Sequence, residues 1–362
     1  MKQDELLVIY GEEPRAMVKT LLDKIRPEEG LEPNALIGLK PNLVVAKPHT
    51  SGATTSPELV AGIIEYFQAK GYRRLLIMEG SWVGDRTTEA FRICGYQSLA
   101  AKYGVPLVDL QQDGSKQYDA GEFSLRICNK AMEVDYLINI PVLKGHCQTG
   151  ITCALKNLKG CIPNSEKRRF HTMGLHKPIA YLNKLLKQHL IIVDGMMGDL
   201  DFEEGGNPVP MNRLIAGFDP VLIDSFAAQL LGYGLEEIPY IGLAAKIGVG
   251  RMQSCFDKVI ELNQTQYGDT ISKTRKVQEL ARYIDDREAC SACYGSLIHA
   301  LARLSERGKL NRLPKKICIG QGYRNQVVHG VGIGTCTGNC DFHLDGCPPK
   351  AKDIIDFLAT RL

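Results

Sequence analysis

The chain has 362 residues, 44% of them hydrophobic and 23% charged, with a formal net charge of +3. These are the proportions of an ordinary globular protein, and at about 100–200 residues per domain they suggest two domains. So small a charge argues against a nucleic-acid partner, since the densest basic run, Lys167-Arg168-Arg169, stands without interleaved aromatics. No uncharged apolar stretch approaches the ~20 residues of a membrane-spanning helix. The apolar run Leu6–Tyr10 is too short for a signal peptide, so a cytoplasmic protein with no membrane partner is expected.

Short apolar runs at Leu6–Tyr10, Ala35–Leu39, Arg74–Met78, Pro106–Leu110, Tyr136–Ile140, Leu190–Val193 and Leu214–Ala216 read as strands. Helical patterns between several of them predict an α/β domain with a Rossmann-like, mainly parallel sheet over residues 1–250. The clearest helix is 57–70. Ser56 is placed to cap it, Pro57 suits its first turn, Leu59, Ile63 and Phe67 share a face, and Gly71 ends it. A second helix opens at Asp219-Pro220 and runs to Gly232. Past residue 250 the texture changes to helical stretches at 270–284 and 291–307, a strand at Lys316–Ile319 and a glycine-rich passage from Gly320 to Gly346. A terminal helix then opens at Pro348-Pro349, so residues 251–362 are expected to form a smaller α/β, cysteine-rich domain.

Of twelve cysteines, Cys290, Cys293, Cys318, Cys336, Cys340 and Cys347 fall within 58 residues. In a reducing compartment such a group indicates metal binding or catalysis before disulfides. Cys290-Ser-Ala-Cys293 can present two sulfurs to one metal or to adjacent irons of a cluster. Cys336-Thr-Gly-Asn-Cys340 and Gly346-Cys347-Pro-Pro add thiolates from irregular backbone able to fold around an inorganic core. The expected ligands are Cys290, Cys293, Cys340 and Cys347, holding one 4Fe-4S cluster, with Cys336 as the leading substitute and Cys318 as a core residue. A four-cysteine zinc site needs the same number of ligands and stays open as an alternative. Cys94, Cys128 and Cys255 sit beside apolar neighbours and read as packing residues.

The densest polar stretch follows the strand 136–140 and includes Lys144, His146, Thr149, Thr152 and Lys156. In open α/β sheets ligands bind beyond the carboxyl ends of strands, so these residues, with His171 or His176 downstream, form a candidate site for a small anionic substrate. An ordinary solvated basic loop is the competing reading. Asp194, Asp199, Asp201, Glu203 and Glu204 read as an exposed acidic loop. Asp224, on an apolar helix, reads either as satisfied in the first turn or as a buried functional carboxylate. Walker, dinucleotide-binding, nucleophile-elbow and zincin motifs are absent.

Lys40-Pro-Asn, Thr55-Ser-Pro, Phe91-Arg-Ile-Cys-Gly, Lys144-x-His146, Ala154-Leu-Lys-Asn-Leu-Lys-Gly-Cys161-Ile-Pro, Lys167-Arg-Arg-Phe-His-Thr-Met-Gly, Ile192-Val-Asp-Gly and Asp219-Pro occur in that order. They resemble the prokaryotic domain-of-unknown-function family 362, over roughly residues 35–235. The resemblance implies an α/β fold and an association with iron–sulfur modules, but no reaction. Gly-Cys347-Pro-Pro is similar to the last cluster-ligand motif in the small subunits of hydrogenases and of the quinone-reducing respiratory complex. A fainter similarity runs to the nickel-pincer lactate racemase family, in which a histidine, a cofactor-bearing lysine and a nickel-binding histidine follow one another. His146, Lys156 and His171 or His176 stand in that order here. That family's Gly-Thr-His-Arg segment is replaced by Glu79-Gly-Ser-Trp82, and the glycine pair before its lysine by Cys153-Ala-Leu. The similarity therefore implies a site at this place and not the nickel cofactor.

The function expected from these features is an iron–sulfur redox protein, an oxidoreductase or electron-transfer partner. It would work with a redox partner protein and a small anionic substrate held by Lys144, His146, Lys156 and His171. Two rivals use the same residues: a non-redox isomerase or lyase with a structural cluster, and a metal-binding scaffold or maturation factor.

Overall fold

In the computed structural model every apolar run of the first 250 residues becomes a strand. The described residues are 1–252, 259–264, 276–310, 313 and 316–360. In chain order the strands are β1 (Leu6–Tyr10), β2 (Ile37–Pro41), β3 (Leu75–Glu79), β4 (Leu107–Asp109), β5 (Ser115–Asp119), β6 (Ser124–Cys128), β7 (Tyr136–Ile140), β8 (Lys144–His146), β9 (Gly150–Thr152), β10 (Leu190–Asp199), β11 (Pro208–Gly217) and β12 (Val259–Glu261). Eight of them form one sheet in the order β12-β1-β11-β10-β7-β2-β3-β4. The run from β10 to β4 is parallel throughout, and β11 alone runs against its neighbours β1 and β10.

β1, β2 and β3 are buried at every position, as expected of strands covered on both faces. The helix Pro57–Ala69 packs on this sheet through Leu59, Ile63 and Phe67, all with no exposed surface. Each such side chain contributes roughly 1.5–3 kcal/mol on burial. Its start departs from expectation. The Ser56 hydroxyl makes no cap bond; instead the Ser56 N–H donates to the Asp194 carboxylate of β10 at 2.7 Å. The helix Pro220–Leu230 is capped as expected, with Asp219 accepting from the N–H groups of Val221 and Leu222 at 2.8 and 3.0 Å.

Two antiparallel hairpins, β5–β6 and β8–β9, were not anticipated. β5 is Ser-Lys-Gln-Tyr-Asp and half exposed, so it leaves no apolar run to read. The segment after β8 runs as strand β9 and becomes helical only at Ala154–Asn157.

The chain divides into two units, Met1–Lys167 with His176–Lys273, and Arg168–Leu175 with Thr274–Leu362. The second unit thus includes a short segment from the middle of the sequence. Its strands β13 (Ile284–Asp286), β14 (Ile317–Ile319), β15 (Val328–Ile333) and β16 (Cys340–Leu344) form a parallel sheet in that order. The glycine-rich passage therefore holds two strands, and the end of the stretch expected as helix 270–284 is strand β13. The α/β class, with a large mainly parallel sheet and a smaller α/β unit, is as expected. Among the described residues no helix is long and apolar enough to cross a membrane. Cys94 and Cys128 are buried, while Cys255 lies outside the described residues.

Candidate functional site

In the second unit, Cys290 stands at the N-cap of the helix Ser291–Glu306, which puts Cys293 in its first turn. Cys336 lies in the short turn Thr335–Thr337 after β15, and Cys347 follows β16. Two backbone bonds stitch these loops together, from Gly334 N–H to Leu344 O at 2.8 Å and from Thr335 N–H to Gly346 O at 3.1 Å. Cys290, Cys293, Cys336 and Cys347 consequently line one enclosed cavity, together with Arg168 and Arg324. Glycine is needed in its wall. At Gly334, with φ +93°, a Cβ would stand 3.4 Å from Gly346 O and 3.9 Å from the Cys293 sulfur.

Burial pushes the Cys293 thiol well up, and the neighbouring Cys290, Cys347 and Cys336 push it further. A Cys293 thiol kept among three others resists ionisation unless a cation or cluster takes up the charge. Arg324 supplies part of that charge, its Nε–H donating to Cys336 Sγ at 3.4 Å. Among the described residues no three His, Cys, Asp or Glu side chains converge closely enough to hold a single ion. The cavity that the cysteines line has a volume of about 20 Å³.

Cys340 is not at this cavity. It is 8% exposed and packs with Cys318 and Tyr323 in a small core, where burial raises its thiol to about 11. Its sulfur lies over Gly332, where a Cβ would come within 2.9 Å of it. Three of the four expected thiols are brought together, and Cys336 occupies the place expected of Cys340. Spacing could not separate the two, because the choice turns on whether the side chain belongs to the turn or to the first residue of β16.

In the first unit Lys144 and His146 alternate along β8, so both side chains project from one face. They meet Glu203. Lys144 Nζ donates to the carbonyl oxygens of Ala53 and Glu203, the latter at 2.8 Å. Lys156 Nζ pairs with Glu203 Oε1 at 2.5 Å and lies 3.3 Å from Thr152 Oγ1. His146 Nδ1 accepts from the N–H groups of Gln148 and Thr149 at 3.0 and 3.1 Å, leaving Nε2–H to donate to Glu203 Oε2 at 2.9 Å. The imidazole is thereby fixed as the neutral Nε2–H tautomer. Burial and Lys156 agree with that, drawing its pKa down to about 4. Burial also draws Lys144 down to about 7. Burial alone would raise Glu203; Lys156 and His146 outweigh it and hold that carboxyl well below its usual range.

The expected convergence of Lys144, His146 and Lys156 is present, but they satisfy one another and Glu203 inside the protein. His171 belongs to the second unit, with Nε2 3.4 Å from the Ser291 backbone nitrogen. His176 stacks on Tyr240 with ring centroids 6.0 Å apart. The acidic residues are not an exposed loop: Asp194, Asp199, Glu203 and Glu204 are all buried. Asp199 takes the N–H groups of Asp201, Phe202 and Asn207 at 2.8–2.9 Å, which accounts for a turn-forming role.

A second buried network at the carboxyl ends of β2, β3 and β7 was missed. Lys40 pairs with Glu79 at 2.9 Å, Glu79 also accepts from the N–H groups of Leu43 and Gly80, and Asn157 bridges Lys40, Asn42 and Asn139. The available signal was a polar residue closing an otherwise apolar strand in each of three runs. Asp224 is a buried carboxylate and is not satisfied within the first turn of its own helix. It accepts from the N–H groups of Ala154 and Leu155 at 2.7 and 3.2 Å, and so caps a distant helix.

Burial raises the Asp224 carboxyl to about 7, against ~4 in an unfolded chain. Between those values the folded protein holds a proton that the unfolded chain has lost. Asp224 therefore favours folding fully below pH ~4, and this contribution falls as pH rises towards 7. Guanidinium melts of Asp224→Asn at pH 4.5, 6 and 7.5 should show a shallower decline than the parent. An unchanged decline would refute the assignment.

The first unit has a mainly parallel sheet with cross-element polar networks and the second carries a cysteine-lined cavity, and both are of the α/β class. The chain belongs to the family described as domain of unknown function (DUF362), whose profile matches residues 37–229. That interval runs from β2 to the end of the helix Pro220–Leu230 and leaves all four cavity cysteines outside it. A thylakoid-associated protein of a Synechocystis strain is 26% identical over 265 residues, 69% of this chain and 80% of that one. Two solved structures are each 14% identical: the lactate racemase apoprotein from Thermoanaerobacterium thermosaccharolyticum, with a TM-score of 0.38, and a Thermotoga maritima protein, with a TM-score of 0.39. They match over 60% and 66% of this chain and 55% and 60% of their own, so the chain spans less than two thirds of either.

Proposed function

We propose that this protein is an iron–sulfur redox protein holding one 4Fe-4S cluster on Cys290, Cys293, Cys336 and Cys347. The observation that carries the reading is the single cavity these four residues line, with Arg168 and Arg324 beside them. A zinc ion draws four sulfurs to one point at about 2.3 Å, whereas a cluster offers each thiolate its own iron. Four cysteines on one cavity, with no three ligating side chains converging on a point among the described residues, suit the second arrangement. The two guanidinium groups offset the negative charge that four thiolates bring, and Gly334 keeps the wall clear of a side chain.

When bound, the cluster supplies one-electron transfer. The chain's own part is to hold the four thiolates, donate a hydrogen bond to Cys336 and limit the access of water. Cys347 is exposed and Cys336 half-buried, which leaves one edge of the site near the surface. That favours exchange of electrons with a redox partner protein. At Lys144, His146 and Lys156, Glu203 and backbone carbonyls already occupy the groups that a substrate would need. Among the described residues the cysteines form no disulfide, which fits a reducing compartment such as the cytoplasm.

Anaerobic reconstitution of the full chain should yield about four irons and four acid-labile sulfides per chain. Stoichiometric zinc without sulfide would overturn the proposal.

A further inference from the structure

Beside the cysteine cavity lies an open chamber of about 370 Å³, lined by Arg324, Asn325, Thr335, Asn339 and two of the same cysteines, Cys336 and Cys347. Arg324 stands in both walls. Its Nε–H is directed at Cys336 Sγ. Among the described residues no carboxylate pairs with it, and its two terminal amino groups make no hydrogen bond. A guanidinium has five N–H donors in a planar fork. One edge of the fork is thus given to a thiol, and the terminal groups are left for another acceptor. The Thr335 hydroxyl is engaged with Asp345 at 2.7 Å, so Arg324, Asn325 and Asn339 are the chamber's available polar groups.

We propose that this chamber binds a small carboxylate on Arg324, and that its binding is coupled to the oxidation state of the cluster. The inference rests on the cluster reading above. A carboxylate matches the fork with two parallel hydrogen bonds, and its charge cancels that of the guanidinium directed at the Cys336 sulfur. Reduction adds one electron, hence one negative charge, to the cluster. A neutralised Arg324 stabilises that charge less, so the bound carboxylate disfavours the reduced form. By reciprocity the reduced form binds the carboxylate more weakly.

The test is a redox titration of the reconstituted full chain in acetate and in chloride at matched ionic strength. Tenfold weaker binding of acetate to the reduced form should appear as a midpoint lowered by about 59 mV at saturation, the one-electron equivalent of tenfold. Arg324→Gln should lose the acetate response in the protein that takes up iron, whatever its iron occupancy. If that variant fails to take up iron, Arg324→Lys, which keeps the charge without the fork, should show a reduced response. The same midpoint in acetate and chloride would overturn the inference, and so would an undiminished acetate response in an iron-loaded Arg324 variant. Failure of the parent protein to incorporate iron and sulfide would instead overturn the cluster reading. The two failures are therefore distinct.

Discussion

Replacing Cys336 with Ser should strip the reconstituted protein of most of its iron, while replacing Cys340 with Ser should leave the iron in place. The two cysteines are four positions apart, and spacing alone favours neither. Their surroundings differ. Cys336 lies in the turn after β15, at the cavity wall with Cys290, Cys293 and Cys347, and receives the Arg324 N–H. Cys340 opens β16 and is buried against Cys318 and Tyr323. A serine at 336 offers a hard alcohol oxygen in place of a soft sulfur, and so a poor ligand for the irons of a cluster. A serine at 340 puts a hydroxyl into a small apolar core, a cost of about 1–3 kcal/mol, with no ligand removed. Iron and sulfide per chain, measured beside a thermal melt, separate the two effects. Iron retained in Cys336→Ser and lost in Cys340→Ser would reverse the assignment.

Glu203→Gln should destabilise the protein by about 3–5 kcal/mol, the usual cost of removing one partner from a buried charge pair. Lys156 would keep its place, 3% exposed, with no counter-charge on Glu203 to meet it. Pairing the substitution with Lys156→Met should cost less than the sum of the two single changes, because the double variant buries no orphaned ammonium. Urea melts at neutral pH, read as a shift in midpoint at constant slope, give both quantities. A single-variant cost below about 1 kcal/mol would mean that the carboxylate and ammonium are not the buried pair described.

Much of the architecture was legible because burial on both faces writes itself into sequence as runs such as Leu6–Tyr10 and Leu75–Glu79. The Cys290–Cys293 spacing and the Gly-Cys-Pro-Pro motif likewise marked three of the cavity's four thiols. What stayed hidden was set by partners far apart in the chain. Glu203 looked solvent-facing because its partner Lys156 is 47 residues away. Asp224 serves a helix start 70 residues before it. Ser56, a natural cap by residue type, instead offers its N–H to a carboxylate 138 residues on. β5 gave no periodicity because neither of its faces is fully covered.

The assignment of Arg168–Leu175 to the second unit bears on how the protein is made. Synthesis is vectorial, and at about 5–20 residues per second some 10–40 s separate the emergence of Arg168 from that of Cys347. During that interval the segment has left the ribosome without the residues it is destined to pack beside, Ser291 and Gln321 among them. Completion of the second unit, and loading of all four of its cavity cysteines, must wait until Cys347 has emerged. Dissecting the protein at a single cut near residue 250 would leave this segment on the wrong fragment.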